Sequence, residues 1–282
     1  MGDPLTTLPG AYLRWLYTQD ARLPRHFNES DRRHVLGDDR TPSGWLLGVR
    51  PLHARRAPGN TCLSSLRSGL MGSRHDPVND SKGCGGVMRV APLALMHDAG
   101  VEAAFQHACD AAAVTHSHPT GWMAAGAFAA ILVQLREGVQ LEEAVRRAIG
   151  RLRIEKRHEE TTRALEDALA LYIRGTTPGP EEIESLGGGW VAEEALAIAV
   201  YAALVAGDDF ETGVRIAVNH SGDSDSTGSL AGQLIGLQHG PQAIPGRWLE
   251  QLELREEIAA VADDLVVGWA PGEEWWTRYP GY

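Results

Sequence analysis

The sequence predicts an all-α protein, built as a single compact multi-helix domain over residues 1–282 with two buried central helices. Three observations carry this prediction. Apolar residues recur at spacings of three and four along most of the chain, strand-type alternation is scarce, and two stretches are apolar nearly all round. These are Trp122 to Leu135 and Val191 to Val205. A helix that offers no polar face to water belongs inside.

In chain order, Tyr12, Leu13, Trp15 and Leu16 form a first apolar face. Val87 to Met96 reads as an apolar helix after a glycine-rich turn, and Val101 to Val114 as an alanine-rich one. Pro119 suits the first turn of the next helix, because a backbone N–H there would go unpaired anyway. Leu141, Ala144, Val145, Ala148 and Ile149, then Leu165, Ala168, Leu169 and Tyr172, mark two surface helices. The charged run Arg153 to Arg157 between them reads as a solvated connection. Gly175 to Pro180 and Gly187-Gly188-Gly189 are breaks before the second central helix. No internal repeat and no low-complexity tract interrupts this order.

With 43% hydrophobic residues, a chain of 282 can fill one large core. Its 26 basic and 37 acidic residues give a formal charge of −11, which argues against attraction to a nucleic-acid backbone or an anionic membrane. A phosphate-bearing ligand would need local donors. Cys62, Cys84 and Cys109 lack the spacing of a zinc or dithiol site and read as reduced thiols, which fits a cytoplasmic setting. Met1 to Gln19 lacks the pattern of a secretory signal. From Ala111 to Leu135 no charged residue occurs, but Thr115-His116-Ser117-His118-Pro119 leaves an apolar part of about 15 residues, short of the ~20 that span a bilayer. The eight tryptophans are expected to serve packing.

The segment Asn219-His220-Ser221-Gly222-Asp223-Ser224-Asp225-Ser226-Thr227-Gly228 leads into a helix with small residues at Gly228, Ala231, Gly232 and Gly236. Asp223, Asp225 and Ser226 can aim hard oxygen atoms at one point, a set suited to Mg²⁺ or Mn²⁺. Read alone, Asp225 also fits an N-cap, with Asp223 and Ser224 shaping the turn before it. Gly83, Gly85 and Gly86 let backbone approach a ligand and turn N–H groups toward an anion, or supply positive φ in an ordinary turn. Cys84 has no visible base and reads as a small buried thiol. Asn60 fits either a cap or a pocket wall, and His116 either a pocket wall or the polar start of a helix, as does His118.

The run from Asn219 to Gly232 resembles the carboxyl-terminal metal motif of the ADP-ribosylglycohydrolases. Pro58 to Cys62, Gly83 to Pro92, Thr115 to Pro119 and Gly187 to Leu196 follow that family's order and approximate spacing. The resemblance covers nearly all of the chain. It implies the all-helical fold of that family and hydrolysis of the glycosidic bond of ADP-ribosylated side chains or a related ribosyl compound. It also implies a dinuclear Mg²⁺ or Mn²⁺ centre with Asp223, Asp225 and Ser226 as ligands, and ADP-ribose contacts from Gly83, Cys84, Gly85 and Gly86, with Asn60 and His116 nearby.

The family's first metal motif, a Gly-Asp-Ala-x-Gly segment followed by Thr-Asp-Asp, has no counterpart before Tyr12. Gly37-Asp38-Asp39-Arg40-Thr41 has the residue types but reads as an exposed loop. The expected centre is therefore half of the family's, accounted for by a late start, by ligands from a partner chain, or by a protein that binds ADP-ribose without hydrolysing it.

Overall fold

Pro119 does begin a helix. His118, immediately before it, caps that helix through Nδ1, which accepts the Thr120 N–H at 3.2 Å. The computed structural model describes residues 4–20, 42–96, 100–268 and 272–279. Its longer helices are α1 (Pro4–Asp20), α2 (Asn60–Ser68), α3 (Val101–Ala113), α4 (Pro119–Arg136), α5 (Leu141–Leu152), α6 (Glu159–Arg174), α7 (Ala192–Ala206), α8 (Phe210–Val218), α9 (Ser224–His239) and α10 (Arg255–Val267). No strand forms among the described residues; one isolated antiparallel bridge joins Gly83 to Val191. The fold is all-α, as the periodicity predicts.

The two central helices are α4 and α7. Every residue of α4 from Thr120 to Leu135 is buried, as are Ala195 to Ala203 of α7. Burying a large apolar side chain such as Phe128 or Ile131 contributes about 1.5–3 kcal/mol. α4 packs against α3, α5 and α7, while α7 also packs against α6, α8 and α9. The alanine face of α3 and Gly126 of α4 make the closest approach possible: a Cβ at Gly126 would lie 2.4 Å from the Cys109 sulfur. Leu165, Ala168 and Leu169 turn inward on α6, which ends at Gly175 with φ 64°. Arg153, Ile154, Lys156 and Arg157 form the exposed connection that their charges suggest.

Two expectations need correction. Val87 to Met96 is not one helix but a 3₁₀ turn at Val87–Arg89 and a short helix at Ala91–Ala94. Pro92 explains the break, since it has no N–H to continue a ladder from residue 88 and its ring crowds the carbonyl there. In α1, Leu13 and Leu16 are buried against Leu63 and Leu66 of α2, but Trp15 turns outward. Tyr12 stacks beneath the Arg89 guanidinium, 4.2 Å from its ring centroid, so that α1 is tied to the segment after the glycine loop. No described helix is long and apolar enough to cross a membrane.

Candidate functional site

One short segment, residues 187–192, brings the distant motifs together. Gly187 and Gly189 adopt φ of 113° and 73°, a conformation open to glycine at little cost. Between them, Gly188 donates its N–H to Glu194 of α7 and accepts the Asp223 N–H at 2.8 Å. Gly222 makes this contact possible: a Cβ there would sit 1.8 Å from the Gly188 carbonyl oxygen. The other end of the segment holds the glycine loop. Trp190 O accepts the Cys84 N–H at 3.2 Å, Gly83 pairs with Val191, and Lys82 O accepts the Ala192 N–H at 2.8 Å.

The result places Cys84 against the start of α9, although 139 residues separate it from Asp223. The Cys84 thiol donates to Asp223 Oδ2 at 2.8 Å and lies 3.4 Å from Ser226 Oγ. The Ser226 hydroxyl lies 3.0 Å from Asp223 Oδ2 and 3.2 Å from Asp225 Oδ1. Asp223 occupies the N-cap position of α9 but makes no side-chain capping bond, and Asp225 stands in the first turn. The capping alternative for Asp225 is thus not what the structure displays. Ser226 is buried, Asp223 is half-buried and Asp225 is exposed, which opens the pair to solvent on one side.

Contact with Asp223, followed by partial burial, holds the Asp225 carboxyl above the usual carboxylate range. Neither acid has an ion-pair partner among the described residues. Burial, and after it the neighbouring Asp223, pushes the Cys84 thiol up to about 12, so it stays protonated and acts as a donor. The buried-thiol reading of Cys84 therefore needs correction: it is half-buried and faces the carboxylates.

Residues 84–86 do form a turn, but Gly83, Gly85 and Gly86 are not among the glycines with positive φ, so supplying positive φ is not their role in it. Close packing is served at two of them: a Cβ at Gly85 would lie 3.1 Å from Cys62 Sγ and 3.3 Å from the His116 ring, and one at Gly86 3.2 Å from the Ala112 Cβ, whereas one at Gly83 would meet the His116 ring at an ordinary 3.4–3.5 Å. The Gly83 and Cys84 N–H groups bond to Ser81 Oγ and Trp190 O, while those of Gly85 and Gly86 have no partner among the described residues. These two are the donors left to an anion. The four-residue helix at Ala91–Ala94 adds no appreciable dipole, so the expected helix-terminus contribution is absent.

His116 lies beneath the loop, with 2% of its surface exposed. Its Nδ1 is 2.8 Å from Thr115 Oγ1, and burial, then the charge of Arg89, pushes its pKa down to about 3. The ring is a neutral floor under the glycines. Asn60 is exposed at the start of α2 and makes no side-chain hydrogen bond to a described residue; its neighbours Thr61 and Cys62 reach the loop region instead, at Ser81 and Gly85. Gly59, not Asn60, holds the N-cap position. Gly37 to Thr41 lie outside the described residues.

Sequence reasoning misses three neighbours. Lys82 Nζ bonds both Glu193 at 2.5 Å and Glu160 at 2.8 Å, tying the loop to the first turns of α7 and α6. Glu193 is buried, and burial raises its pKa. Trp190, expected to pack, is 64% exposed beside Gly188. The signal for Lys82 and Glu193 was their position beside the two glycine segments, but nothing in their spacing pairs them.

For a hard divalent cation, the oxygen set of Asp223, Asp225 and Ser226 fits one side of a coordination shell. Asp223 raises the proton affinity of the Asp225 carboxyl, and with no cationic partner among the described residues this is the chemistry such an ion would relieve. Among the described residues, no group of three or more His, Cys, Asp or Glu side chains completes a shell.

Comparison with known proteins agrees with this architecture. The profile of the ADP-ribosylglycohydrolase family matches residues 2–274. An uncharacterized protein of Archaeoglobus fulgidus is 32% identical over 234 residues, 78% of this chain and 69% of that protein. The ADP-ribosyl-[dinitrogen reductase] glycohydrolase of Rhodospirillum rubrum is 26% identical over 71% of this chain, and the match spans 61% of that enzyme's length. The ADP-ribosylarginine hydrolase Tri1 of Pseudomonas putida is 24% identical over 74% of this chain and 52% of its own length. A solved structure described as an ADP-ribosylglycohydrolase-related protein complex superposes with a TM-score of 0.58 at 26% identity, covering 93% of this chain and 98% of that one. With that profile matched over residues 2–274, nearly the whole sequence, the chain belongs to the ADP-ribosylglycohydrolase family.

Proposed function

We propose that this protein is a divalent-metal-dependent hydrolase that releases ADP-ribose from modified protein side chains. The observation that carries the proposal is the junction at the start of α9, where Asp223, Asp225 and Ser226 stand against the glycine loop. Family membership supports the same chemistry.

Asp223, Asp225 and Ser226 would hold Mg²⁺ or Mn²⁺ through oxygen atoms. When bound, such an ion lowers the pKa of a coordinated water and polarises ribose oxygens. The chain's own groups do the rest. The Gly85 and Gly86 N–H groups are free to donate to diphosphate oxygens, and the apposed His116 ring keeps that stretch of backbone from collapsing inward. Because the ring is neutral at any ordinary pH, it adds no charge of its own beneath the anion. The exposed side of Asp225 leaves room for a side-chain-linked ribose to approach from solvent.

Calorimetric titration of the purified protein with Mn²⁺, with and without ADP-ribose, tests the proposal together with release of ADP-ribose from modified arginine or serine peptides. Turnover that requires Mn²⁺ and is lost in Asp225→Ala supports it. Metal-independent ADP-ribose binding without turnover would replace it with a non-hydrolysing binder, and no binding of either ligand would remove both readings.

A further inference from the structure

The two carboxylates and the two small donors at the start of α9 make a counting problem. Ser226 has one hydroxyl proton, yet its oxygen lies within hydrogen-bond distance of Asp223 Oδ2, at 3.0 Å, and of Asp225 Oδ1, at 3.2 Å. A hydroxyl can donate to only one acceptor at a time. A second proton comes from Cys84, whose sulfur is 2.8 Å from Asp223 Oδ2.

We propose that Cys84 is a positioning residue for Asp223: its thiol holds Oδ2, frees the Ser226 proton for Asp225, and so leaves Asp223 Oδ1 as the oxygen presented to a cation. The inference rests on the reading of Asp223 and Asp225 as metal ligands. Three features of the structure argue for it. Cys84 is fixed in place through its backbone, since its N–H donates to Trp190 O and its carbonyl accepts the Val87 and Met88 N–H groups. Among the described residues, both donors that reach Asp223's carboxylate fall on Oδ2, and none falls on Oδ1. Ser226 is itself held, 2% exposed and with its oxygen 3.7 Å from the Met88 sulfur, so its one proton has Asp223, Asp225 and Met88 as competing acceptors and a second donor to Asp223 is what releases it.

Outer partners that orient a ligating carboxylate typically set metal affinity by ~10–100-fold. Cys84→Ala should therefore weaken Mn²⁺ binding by at least ~10-fold, and Cys84→Ser, which restores a donor at the same place, should recover most of that loss. A residue that only fills space would not distinguish the two variants in this way. Infrared difference spectroscopy, wild type minus Cys84→Ser, gives a second readout: the S–H stretch of Cys84 should lie below that of a free thiol and rise in Asp223→Ala.

Asp225→Ala separates the two levels of the argument. If it abolishes Mn²⁺ binding while Cys84→Ala binds like wild type, or if Cys84→Ser is as weak as Cys84→Ala, the positioning role is overturned. If Asp225→Ala binds Mn²⁺ normally, the metal-site reading fails first, and the positioning role fails with it. An S–H band at the free-thiol frequency overturns the positioning role even if Cys84→Ala does not fold.

Discussion

Gly222→Ala puts a methyl group where the structure has none to spare. Its Cβ would lie 1.8 Å from the Gly188 carbonyl oxygen, 2.6 Å from the carbonyl carbon and 2.8 Å from the Gly188 Cα. All three atoms are backbone, so no rotamer change relieves the clash. Ordinary contact starts near 3.4 Å, and the two turns must therefore separate by about 1.6 Å. That separation breaks the Asp223 N–H bond to Gly188 O, now 2.8 Å, and carries Asp223 away from Cys84, which is tied to the opposite turn through Trp190 O. Overpacking of this kind costs roughly 1–3 kcal/mol and the lost hydrogen bond about 0.5–1.5 kcal/mol, so a loss of ~2–4 kcal/mol is expected in urea unfolding. A displacement of about 1 Å at a reacting centre costs ~10²-fold in rate, and turnover should fall by at least that factor. Gly150→Ala is the matched control, because nothing lies within 4 Å of its added Cβ and alanine favours the interior of α5. Wild-type stability and turnover in Gly222→Ala would refute the claim that the approach of Gly188 and Gly222 sets the position of Asp223.

Lys82→Met should cost about 3–5 kcal/mol, the usual result of stranding a buried acid, because Glu193 is 6% exposed and Lys82 is its ion-pair partner. Adding Glu193→Leu should recover part of that loss in the same urea titration; a double variant weaker than the single one would contradict the pairing. His116 ties stability to pH in a definite direction. Its folded pKa of about 3 lies below the unfolded value of 6.5, so the unfolded chain binds the extra proton between them. The stabilisation is complete above about pH 6.5 and falls away toward pH 3, reaching a loss of roughly 2 kcal/mol at pH 5 from this group. A nuclear magnetic resonance titration should find the His116 ring unprotonated at pH 5, and a midpoint near 6.5 would show that it is not held neutral.

Much of this architecture is written in short-range patterns. The spacing of Leu141 through Ile149 and of Leu165 through Leu169, and the all-round apolar runs that became α4 and α7, identify helices because helical periodicity is a local property. Trp15 escapes the same logic, since a four-residue cluster of large apolar side chains cannot say which member faces out. The break inside Val87 to Met96 was marked by Pro92, a local signal outweighed by the apolar composition around it. The site is a different case. Asp223, Asp225 and Ser226 are neighbours in sequence and could be proposed together, but Cys84 joins them only through the 187–192 segment. No periodicity reports such a contact. The glycines on both sides are plain in the sequence, but their separate purposes are not: Gly187 and Gly189 serve conformation, whereas Gly85, Gly86 and Gly222 serve close approach.

Anomalous diffraction from crystals soaked in Mn²⁺ tests directly whether Asp223, Asp225 and Ser226 hold a divalent cation against the glycine loop. A peak is expected within bonding distance, roughly 2.0–2.3 Å, of carboxylate oxygens from both Asp223 and Asp225 and near Ser226 Oγ. Mn²⁺-dependent turnover with no peak at these residues, or with the peak at another set of ligands, would contradict that assignment.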